Sequence, residues 1–298
     1  MRITEGMMAG DFLYTINKNR AQINKLEIHL ASGKRLQKVS DDPTAADAVL
    51  RLNAGIDRND QYQKNVTDGQ GVLAQTGSSL DDMGSLLQEV QSIVVQAKDG
   101  DQTSVMGSLA ERVDQLLNEA VSLANSKFNG KFIFGGTQTT AQPYTLVTNP
   151  GPPATQGVAY AGNAEIIHYP TGESLVQQVS VPGSEAFGGT ALFNSLIRVR
   201  DTLRAGQTPS TDDANAVAAA LDTVTQTASK AGSLSQSLDN TTVHLTNQKT
   251  QLQVLLSAEQ DTDVAEASLN LKQAQTMLDA ALASGAQILP KSLLDFLK

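Results

Sequence analysis

Apolar residues near both ends of the chain recur in alternating steps of three and four. Phe12, Ile16, Asn19, Ile23, Leu26 and Leu30 form one set. Val264, Ala267, Leu271, Ala274, Leu278 and Ala281 form another, with Leu282 beside it. This spacing lays one narrow stripe along a helix, the pattern by which helices seat against each other in a coiled coil. Three further sets lie inside these two: Leu80 to Val94, Leu109 to Leu123, and Leu238 to Leu255. A stripe is stable only when something covers it, so the helical flanks are expected to come back together.

Punctuation is concentrated in the middle of the chain. Six of the nine prolines lie between Pro143 and Pro182, and ten of the 23 glycines between Gly130 and Gly189. Short β-like runs alternate with turns there: "KFIFGG", "YTLVTNPGPP", "GVAYAGNAEIIHYP" and "SLVQQVSVPG". The fold class read from this is mainly α with a β-rich insertion. A long antiparallel helical coiled coil or bundle is built from both termini, with a small central β domain projecting outward. Three parts are expected. Residues 1–40 with 262–298 form terminal coiled-coil segments, 41–128 with 191–261 a helical bundle, and 129–190 a β-rich outer domain.

The stripes are thin. Asn19, Thr241 and Gln248 stand where an apolar residue is expected, and alanine fills many other positions. Polar residues at such positions lower stability while fixing register. The terminal segments are therefore expected to be disordered in a free monomer and to fold on joining an assembly.

Composition agrees with long helices and not with a thick core. Tryptophan is absent and aromatics make up 4%. The net charge of −9 argues against nonspecific binding to nucleic acid or anionic membrane. No cysteine is present, which removes disulfides, thiolate nucleophiles and zinc–sulfur sites. No run of 18 apolar residues spans a membrane. The start, "MRITEGMMAGDF", lacks the apolar core of a cleaved secretory signal.

Candidate chemistry falls away on inspection. His29, His168 and His244 share no metal-ligand spacing. "DGDQTS", residues 99–104, lacks the ligand offsets of a calcium loop and reads as a turn between helices. "ASGKRL" lacks the second glycine and the hydroxyl of a phosphate loop. No nucleophile elbow or dinucleotide fingerprint occurs. Catalytic, cofactor-binding and metal residues are therefore expected to be absent. In "EQDTDVAEA", Asp263 with Glu266 reads as a helix cap. In "HLASGKRLQKVSDDPTAADAVLRL", Gly33 reads as a left-handed helix terminator, Asp42 as the next N-cap and Pro43 as that helix's first residue. Both stretches mark helix breaks.

"LASGKRLQKVSDDPTAADAVLRLNAGI" (30–56), the run that follows at 63–100, and "EQDTDVAEASLNLKQAQTMLDAALASGAQIL" (259–289) together resemble the signatures of the flagellin superfamily. "GKFIFGGTQTTAQPY" (130–144), "SLLDFLK" (292–298) and "SDDPTAA" (40–46) are similar to its hook–filament junction branch, and the opening "MRITEGMM" differs from the Asn-rich start of filament flagellins. The resemblance implies a structural adaptor of the flagellum, extracellular and not an enzyme. Its subunits would self-associate in a ring between the first hook-associated protein (FlgK) and flagellin. Export would run through the flagellar type III apparatus, with the chaperone FlgN holding the C-terminal segment. Phe12, Ile16, Ile23, Leu26, Leu30, Val264, Leu271, Leu278 and Leu282 would carry the inter-subunit coiled coil. Gly33, Asp42 and Pro43 would form the joint to the next domain. A minor filament flagellin, or a cytoplasmic helical scaffold, is the alternative reading.

Overall fold

The computed structural model describes residues 5–99, 103–149 and 155–295. The expected turn around residues 100–102 and the last three residues of "SLLDFLK" lie outside that set. Four long helices dominate: α1 (Glu5–Ser32), α2 (Pro43–Asp99), α6 (Thr211–Gln260) and α7 (Val264–Asp295). Between α2 and α6 come α3 (Thr103–Ala124), six short strands, α4 (Gly183–Ala186) and α5 (Ala191–Arg204). The chain divides into a larger compact unit, Asn59–Asn247, and a smaller one made of the residues up to Arg58 with those from Gln248 onward.

The helical stripe on α2 becomes the core of the larger unit. Leu80, Met83, Leu87, Val90 and Val94 are all buried, against Val113, Leu116 and Ala120 of α3 and Leu192, Leu196 and Val199 of α5. Within this unit α2 and α6 run antiparallel side by side. The Gln70 amide donates to Asp239 Oδ1 at 2.7 Å, and Leu221 lies against Gly84 farther along. A second cluster gathers Val66 and Leu73 of α2, Leu238 and Leu245 of α6, and Val179. Gly69 makes this approach possible. A Cβ there would lie 2.6 Å from Val179 Cγ1 and 3.2 Å from Leu238 Cδ1.

Among the described residues the strands form three separate antiparallel pairs and no common sheet. β1 (Lys127–Phe128) pairs with β2 (Lys131–Phe132), β3 (Tyr144–Asn149) with β4 (Thr155–Tyr160), and β5 (His168–Pro170) with β6 (Val176–Gln178). The strands are shorter than the β-like runs in the sequence. Asn149 closes β3 and Gly162-Asn163 follow soon after β4, while beyond β2 the side chains of Ile133 and Phe134 turn into the core, Ile133 N still donating to Ser126 O at 3.1 Å. Two-stranded ribbons are marginal alone. The β3–β4 pair is anchored on the helices through Tyr144, whose ring lies 4.9 Å from Phe193 and 4.8 Å from Tyr160. Asn125 at the end of α3 grips its backbone, donating to Tyr144 O at 2.8 Å and accepting from Tyr144 N at 3.0 Å. Burial, with the neighbouring Tyr160, pushes the Tyr144 phenol well above its ordinary range.

Arg200 of α5 is a further anchor. Its side chain is only 2% exposed, yet it is fully engaged. It donates to Asp114 of α3 at 3.0 Å, to Asp201 at 2.7 and 2.9 Å, and to the amide oxygen of Gln156 on β4. A buried guanidinium requires such partners, because an unpaired buried charge is strongly destabilising.

Candidate assembly site: the terminal helix pair and its paired breaks

Within the smaller unit α1 and α7 pack antiparallel. Near one end of the pair Phe12 lies against Gly285, where a Cβ would stand 2.1 Å from the ring. Near the other end Lys34 and Asp261 form an antiparallel β-bridge. Between these points the three–four stripes of the two helices face each other. On α1, Ile16 is buried and Phe12, Asn19, Ile23, Leu26 and Leu30 are half-buried. On α7, Ala267, Ala274 and Gly285 are buried, and Leu271, Leu278 and Ala281 are half-buried. Val264, 60% exposed, and Leu282, 43% exposed, stand outside this seam.

The seam is weak by construction. A fully buried leucine or isoleucine contributes about 1.5–3 kcal/mol, and most of these are only half covered. Alanine contributes a single methyl. An isolated helix is marginal in water, so the stability of each terminal helix rests on what it packs against.

Apolar side chains also remain on the outer faces of the pair. Met7, Leu13, Tyr14 and Ile28 of α1 are exposed, as are Leu269, Met277 and Leu282 of α7. Met7, Tyr14, Ala21 and Ile28 follow one another at intervals of seven, the repeat of a coiled-coil contact. They lie on the side of α1 opposite to its buried stripe.

The helix breaks at the base of the pair are joined through the backbone. α1 ends at Gly33, whose φ of 70° is the left-handed turn that glycine accepts without strain. The carbonyl of Gly33 accepts a hydrogen bond from Thr262 N at 2.9 Å, and Gln260 O accepts from Arg35 N at 2.7 Å. The Arg35 guanidinium donates to Glu259 O at 2.8 Å, meeting one of the carbonyls left free at the end of α6.

The acidic residues of the joint accept from backbone N–H groups, Asp42 and Asp263 as helix caps and Asp41 within the connecting turn. Asp42 Oδ1 accepts from Thr44 N at 3.2 Å and Ala45 N at 3.1 Å, with Pro43 first in α2. Asp41 Oδ2 accepts from Lys38 N at 3.0 Å and Gln37 N at 3.3 Å. Asp263 Oδ1 caps α7 through Ala265 N at 2.8 Å and Glu266 N at 3.1 Å. The backbone donors hold the Asp41 and Asp42 carboxyls below the ordinary carboxylate value, Lys38 N foremost for Asp41 and Ala45 N for Asp42. Lys25 and Arg35 add to this, at 3.6 Å from Asp41 and Asp42 respectively. With these groups committed to one another, the Gly-Lys-Arg and Asp-Asp stretch works as a helix joint. Among the described residues no three His, Asp or Glu side chains form a group that could hold a metal ion. Likewise, no described helix is long and apolar enough to cross a membrane.

Sequence reasoning located both breaks and did not foresee that they bond to each other. Nor did it foresee Gly285, which admits Phe12. The available signal was its position, four residues beyond Ala281 on the same stripe.

Two long helical arms, each broken once and meeting in a pair, define a class of protein, and comparison with known chains agrees. The bacterial flagellin N-terminal helical region matches residues 3–139 and the bacterial flagellin C-terminal helical region matches residues 214–297. Flagellar hook-associated protein 3 of Salmonella typhimurium is 30% identical over 204 residues, covering 66% of this chain and 58% of that protein. A putative flagellar hook-associated protein from Vibrio parahaemolyticus superposes with a TM-score of 0.63 at 19% identity, over 74% of this chain and 100% of that one. FlgL of Bacillus cereus superposes with a TM-score of 0.59 at 21% identity, over 70% and 99%. The chain belongs to the flagellin superfamily. It spans under two thirds of the length of the hook-associated protein 3 of Salmonella typhimurium that it matches.

Proposed function

We propose that this chain is a structural adaptor of the bacterial flagellum, joining the hook to the flagellin filament. It acts through helix contacts and not through catalysis. The observation that carries this is the terminal pair, which covers one thin stripe and leaves apolar residues on its outer faces. Such faces suit neighbouring copies and flanking subunits. The copies form a ring, with the first hook-associated protein (FlgK) on one side and flagellin on the other. Family kinship supports this placement. The chain reaches the cell exterior through the flagellar type III apparatus, accompanied beforehand by FlgN.

The terminal segments 1–40 and 262–298 order fully only in the assembly, because the seam between them is too thin to hold alone. Phe12, Ile16, Ile23, Leu26, Leu30, Leu271 and Leu278 hold the pair together, while Val264 and Leu282 face outward toward neighbours. Electron microscopy of a deletion strain tests the role. Hooks without filaments, with filament protein released into the medium, are expected. Normal filaments on the mutant would refute it, and loss of filament protein altogether would identify the chain as a filament flagellin.

A further inference from the structure

The β1–β2 turn carries a chemistry that the assembly role does not use. Asn129–Gly130 is the sole Asn–Gly pair in the chain. The two residues form the whole loop between Phe128 and Lys131, and both take positive φ, 48° and 78°. That is the turn geometry for which Asn–Gly is favoured. Asn129 and Gly130 are exposed, and the Asn129 carboxamide has no hydrogen-bond partner among the described residues. No side chain on Gly130 shields its backbone nitrogen. The ladder behind the turn is two pairs long and is continued by one further bond, Ile133 N to Ser126 O at 3.1 Å, so the exposed loop sits at the open tip of a short ribbon.

We propose that Asn129–Gly130 is a site of spontaneous main-chain rearrangement. The Gly130 nitrogen, having lost its proton to solvent base, attacks Asn129 Cγ. A new C–N bond forms, and the carboxamide nitrogen takes up a proton and leaves as ammonia. The resulting succinimide is opened by water. Cleavage of the bond to Cγ gives aspartate, and cleavage of the bond to the main-chain carbonyl gives isoaspartate. No oxidant, metal or enzyme is required.

The consequences follow from the register. Isoaspartate adds one methylene to the main chain of a two-residue loop, which breaks the Phe128↔Lys131 pairing. Phe128 then leaves the notch on α2 at Gly71, where its ring now packs so closely that a Cβ would lie 2.3 Å away. Either product also sets a new carboxylate between Lys127 and Lys131. The turn is thus a slow, irreversible clock in the larger unit.

The test uses the full-length folded protein, held in mildly alkaline buffer and sampled over time. Peptide mass spectrometry with separation of aspartate from isoaspartate follows each asparagine. Conversion at Asn129 is expected several-fold faster than at Asn53 and Asn163, each of which precedes alanine. Asn129→Gly, which accepts the same positive φ, is expected to abolish conversion in this peptide while leaving the melting temperature unchanged. Conversion at Asn129 no faster than at Asn163 would overturn the proposal. So would conversion that begins only once the chain is denatured.

Discussion

Thr262 donates its backbone N–H to the carbonyl of Gly33 at 2.9 Å, tying the break between α6 and α7 to the break between α1 and α2. The two arms therefore bend at one place, held by Arg35 N on Gln260 O and by the Lys34–Asp261 bridge. Gly33→Ala should strain this joint, since a left-handed residue with a Cβ costs about 1–2 kcal/mol. Amide hydrogen exchange at Thr262 and Arg35 should accelerate, with the larger unit's protection unchanged. Unaltered exchange at both amides would show that the joint does not depend on Gly33.

Acid should loosen the same joint. Asp41 and Asp42 have folded pKa values below the ordinary 3.8. A group with a depressed folded pKa stabilises above its unfolded value and loses that contribution as pH falls through the folded one. Protease sensitivity between α1 and α2 should therefore rise below about pH 3.8. The double variant Asp41→Asn, Asp42→Asn should show a flatter pH dependence. An identical acid profile in the variant would show that these two carboxyls do not govern the acid response of the joint.

Two helical glycines should respond oppositely to alanine. At Gly69 a Cβ would lie 2.6 Å from Val179 Cγ1, on a stiff and buried side chain. Overpacking costs about 1–3 kcal/mol, more than the roughly 1 kcal/mol alanine gains over glycine within a helix. Gly69→Ala should lower the melting temperature. Gly232 lies on α6 with nothing within 4 Å of a Cβ, so Gly232→Ala should raise stability by about 0.5–1 kcal/mol. Thermal denaturation reads both. The same sign at both sites would contradict this packing.

The legible part of the fold was the part with a period. On α1 the six stripe positions from Phe12 to Leu30 all turn inward, and on α2 all five from Leu80 to Val94 are buried. A three–four spacing reports which face is covered whatever covers it. On α6 the stripe fades, for Gln248 and Leu255 are exposed while Leu238 and Leu245 are buried. What stayed hidden depends on distant partners. Arg200 looks like any surface arginine until Asp114 and Gln156 are folded against it. Gly69 looks like a helix defect until Val179 arrives. The separation of the strands into three hairpins also left no local trace, because each run carries β character wherever its partner lies.

Seam and outer-face positions on α7 should separate by behaviour. Leu271→Asp and Leu278→Asp place charges in the α1–α7 seam and should speed the trimming of the already labile terminal segments by limited proteolysis. Leu269→Asp and Leu282→Asp alter only exposed positions and should leave proteolysis unchanged. Melting of the larger unit should be unaffected by all four. A parallel loss of its stability would show that the terminal pair has no separate role.

The proposed role has the outer faces of the terminal pair joining this chain to its neighbours. Its most direct test is electron microscopy of a deletion strain expressing the Leu269→Asp, Leu282→Asp double variant from a plasmid. Bare hooks with the folded variant in the medium are expected, whereas the wild-type chain restores filaments. Filaments restored in full by the double variant would contradict it.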